Sequence, residues 1–196
     1  MIESRESILQ SIGVNPNTII YPIAKFNDVA SDNKYNYTCY EPCTTKDMYG
    51  VNNLTEYCMF LGDYINWGYW ENIDLSEKIS PDKRILASSN LYQLIFKQLS
   101  LDSQSHVLEV GFGTGVGLSK LATEYEVASI TGIDFVHQQK IRALKKYKSL
   151  FSEKKVTLIT TNIENSYLIN NNYSHIFICE VAQHFQNMEK VFLELK

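Results

Sequence analysis

The segment Val107-Leu108-Glu109-Val110-Gly111-Phe112-Gly113-Thr114-Gly115-Val116-Gly117 decides how the rest of the chain is read. A short apolar run ends in a glycine loop, and a helical pattern follows. Glycines let a backbone turn sharply and let a ligand approach it with no Cβ in the way. The helix start after the loop offers free N–H groups. Nucleoside triphosphates need a lysine at the end of such a loop, but the first lysine here is Lys120, a full turn into the helix. Dinucleotides prefer G-x-G-x-x-G, and counting from Gly111 the third glycine position holds Val116. Glu109 also sits two residues before the first glycine, awkwardly for a pyrophosphate. A phosphate-free ligand carrying positive charge turns that carboxylate into an asset, directly or through water.

Working outward, short strands alternate with helices. Strands are expected at residues 106–110, 129–134, 156–160 and 175–179. Helices are expected from the glycine loop to about Tyr125, over 136–150, and from about Asn187. That order implies an α/β fold, a Rossmann-like doubly wound parallel sheet with helices on both faces. Such sheets bind ligands beyond the carboxyl ends of the strands, where strand order reverses. Those ends are Val110, Asp134, Thr160 and Glu180. Ahead of the first strand, Ser80, Pro81 and Asp82 read as a helix start. Ile85, Leu86, Ser89, Tyr92, Leu94, Ile95 and Leu99 form an apolar stripe behind them. Residues 53–75 are aromatic, with Tyr57, Phe60, Tyr64, Trp67, Tyr69 and Trp70, and read on their own as a plug joining a cap to the main domain. Residues 1–52 are polar and broken by Pro16, Pro22 and Pro42. They read as an irregular cap, with a helix near 3–12 and strands or extended arms near 18–23. The expected division is a cap and lid over 1–75 and a partial cofactor-binding domain over 76–196.

Composition narrows the function classes. The chain has 196 residues, 44% apolar and 20% charged, with a net charge of −4, so it can bury a core. The densest basic tract, 140–148, alternates with apolar residues as a solvated helix face does, which argues against a nucleic-acid partner. Residues 1–10 carry Glu3, Arg5 and Glu6 and lack the apolar centre of a signal peptide. No apolar run approaches the ~20 residues that span a bilayer, so a soluble, cytoplasmic protein is expected. Cys39, Cys43, Cys58 and Cys179 lack zinc spacing and read as free thiols; no metal is expected.

The stretch 107–115 resembles the first motif of class I S-adenosylmethionine-dependent methyltransferases: an apolar strand, an acid, then G-x-G-x-G. The resemblance covers residues 57–196. It implies S-adenosylmethionine as cofactor, held by Glu109, Gly111, Gly113 and Gly115. Asp134, 21 residues after Gly113, takes the place of an acid that grips two ribose hydroxyls, with Phe135 following it; read alone, Asp134 is equally a helix cap. Asn162 stands where the family usually has an adenine-binding Asp, and Ile163 would pack on the adenine. Glu180 and His184 resemble the exit of strand four, while Ser174 replaces a customary Asp at that strand's start. Asn66-Trp67-Gly68-Tyr69-Trp70 resembles the H-x-G-Y-[WF] stretch of small-molecule methyltransferases acting on sterols, tocopherols, quinones and sugars, with Asn66 for His. That stretch lids the cofactor, which adds Tyr64 and Trp67 to the candidate site.

The implied reaction is methyl transfer to a small molecule, with His184 as the candidate base because histidine titrates near neutrality; a loop-capping role for His184 stays open. Family members carry seven strands, whereas this chain supplies four and stops in the next helix. A fragment is therefore expected, or a sheet completed by a partner or a second copy. A catalytically inactive cofactor-binding or partner subunit is the alternative, and a nicotinamide oxidoreductase a remoter one.

Overall fold

The computed structural model describes residues 45–50, 53–57, 59–166 and 173–195. The expected elements near 3–12 and 18–23, and Cys39, Cys43 and Cys58, lie outside them. In chain order the elements are α1 (Thr45–Gly50), α2 (Pro81–Leu99), β1 (His106–Val110), α3 (Val116–Glu124), β2 (Ser129–Asp134), α4 (His137–Glu153), β3 (Val156–Thr160), β4 (His175–Ile178) and α5 (Met188–Glu194).

The four strands form one parallel sheet in the order β3-β2-β1-β4. Val107 pairs with Ile130 of β2 on one side and His175 of β4 on the other. The chain winds one way through β1, β2 and β3, then returns to place β4 beside β1. Ser174 works at that return. Its hydroxyl accepts from the His106 N–H at 2.8 Å and its own N–H donates to the His106 carbonyl at 2.9 Å, so it aligns the starts of the two strands.

Side chains alternate across β1 as strand geometry requires. Val107 packs with Tyr92, Phe96, Leu118, Leu121, Phe151 and Phe177 under α2, α3 and α4. Leu108 and Val110 face the other way, toward Ile133, Ile163 and Val191 of α5. Both sheet faces are thus covered, which is why β1 and β2 are buried almost end to end. Among the described residues, no helix is long and apolar enough to cross a membrane.

Ser80 caps α2, its hydroxyl accepting the Lys83 N–H at 3.2 Å, and Pro81 opens the helix. Of the sequence stripe, Ile85, Tyr92, Ile95 and Leu99 face the core. Ala87, Ser88, Tyr92 and Phe96 are buried, while Leu86 is exposed. The aromatic segment lies against this face, and its Gly68 sits so close to Ala87 and Ser88 that small residues are required there.

Gly115 packs α3 onto α4. Its φ is +81°, and a Cβ would lie 2.9 Å from the Ala143 Cβ. Gly115→Ala should therefore cost about 2–4 kcal/mol, combining left-handed strain with overpacking. A urea-unfolding midpoint that stays put would show that this contact does not limit the packing.

Candidate active site

A cavity of about 430 Å³ opens at the carboxyl ends of the strands, where the sheet order reverses and such folds place ligands. Gly111, Phe112, Gly113 and Thr114 form one wall, and Ile133 through Val136 the next. Thr161 to Glu164, following β3, and Cys179 to Val181, following β4, close the far side. Gly113 has φ +53°, and an added Cβ would find only Ile65 Cδ1 at 3.9 Å, so its bare backbone is open to a ligand.

Asp134 organises the wall. One carboxylate oxygen accepts the Gly113 N–H and the other the Val136 N–H, both at 2.8 Å. The side chain that the sequence resemblance assigns to ribose therefore also anchors the start of α4. Burial pushes its pKa up to about 6 against the opposing pull of these two N–H groups.

Ahead of α2, residues 59–70 cross the glycine loop as a strap. The Asp63 carbonyl accepts the Thr114 hydroxyl at 2.6 Å, and the Asp63 carboxylate pairs with Lys146. Tyr64 turns inward and packs on Tyr92. Ile65 faces the cavity. Asn66 is buried, its amide donating to the Ser88 carbonyl at 3.3 Å. Trp67 turns outward, 56% exposed, while its N–H donates to Glu180 Oε2 at 2.8 Å. Glu180 itself has φ 52°, a left-handed conformation costing roughly 1–2 kcal/mol for a residue with a Cβ. Burial raises its pKa, against the Trp67 N–H bond and the charge of Arg84.

Beyond β4, His184 also reaches the cavity. Its Nε2 lies 2.9 Å from the Tyr49 hydroxyl, with the rings edge to face. Burial, with the Asp134 and Glu180 carboxylates, pushes Tyr49 up to about 12. The phenol therefore keeps its proton, and in the Nδ1–H tautomer of the ring it donates to Nε2. Burial lowers the pKa of His184, which favours the neutral ring with a free lone pair. Tyr49 is held from behind, because Arg142 donates to the carbonyls of Tyr49 at 2.6 Å and Gly50 at 2.9 Å. A guanidinium at a helix's last carbonyls is favourably placed.

The family model for a methyltransferase domain matches residues 108–196, the segment carrying all four strand ends described above. This part of the chain resembles a methyltransferase domain. An O-methyltransferase of Pyrenophora dematioidea is 27% identical over 128 residues, covering 65% of this chain and 46% of the relative. O-methyltransferase cnsE of Penicillium expansum is 34% identical over 87 residues, covering 44% of this chain and 29% of that protein. The chain thus spans less than half the length of either relative. A Galdieria sulphuraria structure, provisionally named a sarcosine dimethylglycine methyltransferase, superposes with a TM-score of 0.58 at 22% identity, covering 68% of this chain and 50% of that one. That likeness shows the shared fold.

Within the matched segment, Gly111, Gly113, Asp134, Phe135, Asn162, Ile163, Glu180 and His184 line one cavity. The other four candidates do not reach its wall. Gly115 serves the α3–α4 contact, and Tyr64 and Trp67 flank Ile65, pointing inward and outward. Glu109 is fully buried on the α2-facing side of β1, where strand alternation sends it. It accepts from the Tyr92 hydroxyl at 3.1 Å, and Tyr92 continues to the cavity. Burial drives the Glu109 carboxyl well above its usual range. Asn162 spends its Oδ1 on the Glu164 N–H at 3.0 Å, capping the following turn. His137 and His175 lie at the start of α4 and in β4. Sequence reasoning missed Tyr49, Ile65 and Gln139, which complete the wall.

Tyr49→Phe removes the donor that favours the unprotonated His184 ring. The His184 pKa should rise, as followed by NMR titration of the imidazole signals. A fall, or no change, would mean that Nε2 is not the acceptor.

Proposed function

We propose that this chain, in its cap over 1–75 and cofactor domain over 76–196, transfers a methyl group from S-adenosylmethionine to a small-molecule acceptor. The observation that carries the reading is the buried Asp134 carboxylate at the end of β2, beside the bare backbone of Gly113 in the cavity. The fit is chemical. The cavity wall carries Asp134, Glu164 and Glu180, and no lysine or arginine among the described residues, as suits a cationic, phosphate-free ligand better than a pyrophosphate.

When bound, S-adenosylmethionine supplies a methyl group already activated on a cationic sulfur, so the protein's task is to align, to hold charge and to exclude water. Asp134 accepts ribose hydroxyls with its remaining lone pairs. Ile163 offers an apolar face for the adenine, and Phe135 flanks the mouth. Ile65 of the strap covers the glycine loop. The group so supplied would go to an oxygen, nitrogen or carbon of the acceptor. His184 takes the acceptor's proton at Nε2, displacing the Tyr49 hydroxyl from that lone pair. The acceptor is a small, partly apolar molecule, given the Tyr49, Ile65, Val181 and Phe185 side chains in the cavity wall.

Titration calorimetry tests the cofactor half. Asp134→Ala should weaken S-adenosylmethionine by about 1.5–3 kcal/mol, the scale of hydrogen bonds to a charged group. Unchanged affinity would remove Asp134 from the site. Donation by ribose favours the ionised carboxylate, so binding lowers the raised Asp134 pKa. Affinity should climb as pH rises to about 6 and level off above it. Binding below that point should release a proton, visible as a buffer-dependent heat.

Labelled-methyl transfer to panels of small hydroxyl and amine compounds tests the chemistry. His184→Gln should lower turnover about 10²–10⁴-fold, the range of general-base catalysis, with cofactor affinity unchanged. Transfer at the wild-type rate would leave His184 without that role.

A further inference from the structure

Arg84 lies on α2, outside the cavity wall; its guanidinium hydrogen bonds all go to the strap, and its charge also favours the ionised Glu180. Its Nε donates to the Met59 carbonyl at 2.9 Å, Nη1 to the Trp67 carbonyl at 3.1 Å and Nη2 to the Asn66 carbonyl at 3.3 Å. Its guanidinium carbon lies 5.4 Å from the Trp67 ring centroid and 5.5 Å from that of Trp70. Trp70 Nε1 donates to the same Trp67 carbonyl at 2.8 Å. Residue Trp67 is thus gripped at both backbone groups. Its carbonyl is held by Arg84 and Trp70, and its N–H holds Glu180 in the cavity wall.

A planar, five-donor cation is the side chain that can bind diverging carbonyls and stack on rings at once; lysine offers a point charge. The strained backbone of Glu180 gives its carboxylate a fixed direction only while the Trp67 N–H stays in place. We infer that Arg84 is a positioning residue of the cofactor site, acting through Trp67 on Glu180 and setting how fast the strap releases the cofactor. This rests on the reading above that the cavity takes S-adenosylmethionine.

The chain's two tryptophans are Trp67 and Trp70, so fluorescence excited selectively at tryptophan reports the strap alone. In the ligand-free chain, Arg84→Ala should make the tryptophans more accessible to acrylamide quenching. With S-adenosylmethionine bound, stopped-flow displacement should show release about tenfold faster, since such losses fall mainly on dissociation rates. Glu180→Ala should also speed release. The double variant should release no faster than the quicker single variant, because both act through one peptide group. Arg84→Lys keeps the charge and should still release fast, and it carries the test if Arg84→Ala fails to fold.

Additive effects, unchanged release in both Arg84 variants, or full rescue by lysine would overturn the inference. Wild-type chain that binds no S-adenosylmethionine would fail at the first step and overturn the functional reading, and the release claim with it. The quenching comparison would still decide whether Arg84 fastens the strap.

Discussion

The Asp134 carboxylate accepts N–H groups from two separate pieces of chain, Gly113 in the glycine loop and Val136 at the head of α4. Its backbone carbonyl takes a third, the N–H of Thr161 beyond β3, at 3.0 Å. One residue thereby fixes three segments around the cavity. Burying that carboxylate is unfavourable, as its raised pKa records, and two well-formed N–H bonds offset part of the cost. The arrangement makes the wall rigid while leaving lone pairs open toward the cavity, which is what a preformed ligand site requires.

The same carboxylate shapes the electrostatics. Asp134 and Glu180 both push the Tyr49 phenol upward, and Asp134 adds to the burial that raises Glu109 behind the wall. Acidic groups crowd one small volume, and a cationic ligand relieves them. A phosphate-bearing one would meet repulsion with no lysine or arginine of the described wall to balance it. The choice of ligand charge is therefore a property of the wall as a whole.

Much of this was legible in the sequence because it is periodic or local. β1, β2 and β3 fall at the expected residues, since apolar runs ending in turn residues leave little freedom once both faces are covered. Asp134 was readable from its distance to the loop. The strap was not readable in detail. Gly62, Asp63 and Gly68 all adopt positive φ, so the chain turns repeatedly and no fixed period says which side chain faces inward. Ile65 takes the place expected for its larger neighbours, Tyr64 and Trp67. Glu109 carried the right chemistry on the wrong strand face, and Asn162 had its acceptor oxygen claimed by a turn. Tyr49 left no local trace. Its place is set by Arg142 and His184, both remote in sequence.

That remoteness bears on how the site comes into being. Arg142 and Tyr49 are 93 residues apart, and Tyr49 and His184 are 135 apart. A chain made from its N-terminus produces the phenol long before either partner. Contacts of such span carry a large loop-closure cost and form once local helices and neighbouring strands have reduced the search. The Tyr49–His184 contact is thus expected to form late. A folding defect confined to the docking of α1 would leave the sheet and glycine loop intact while parting Tyr49 from His184.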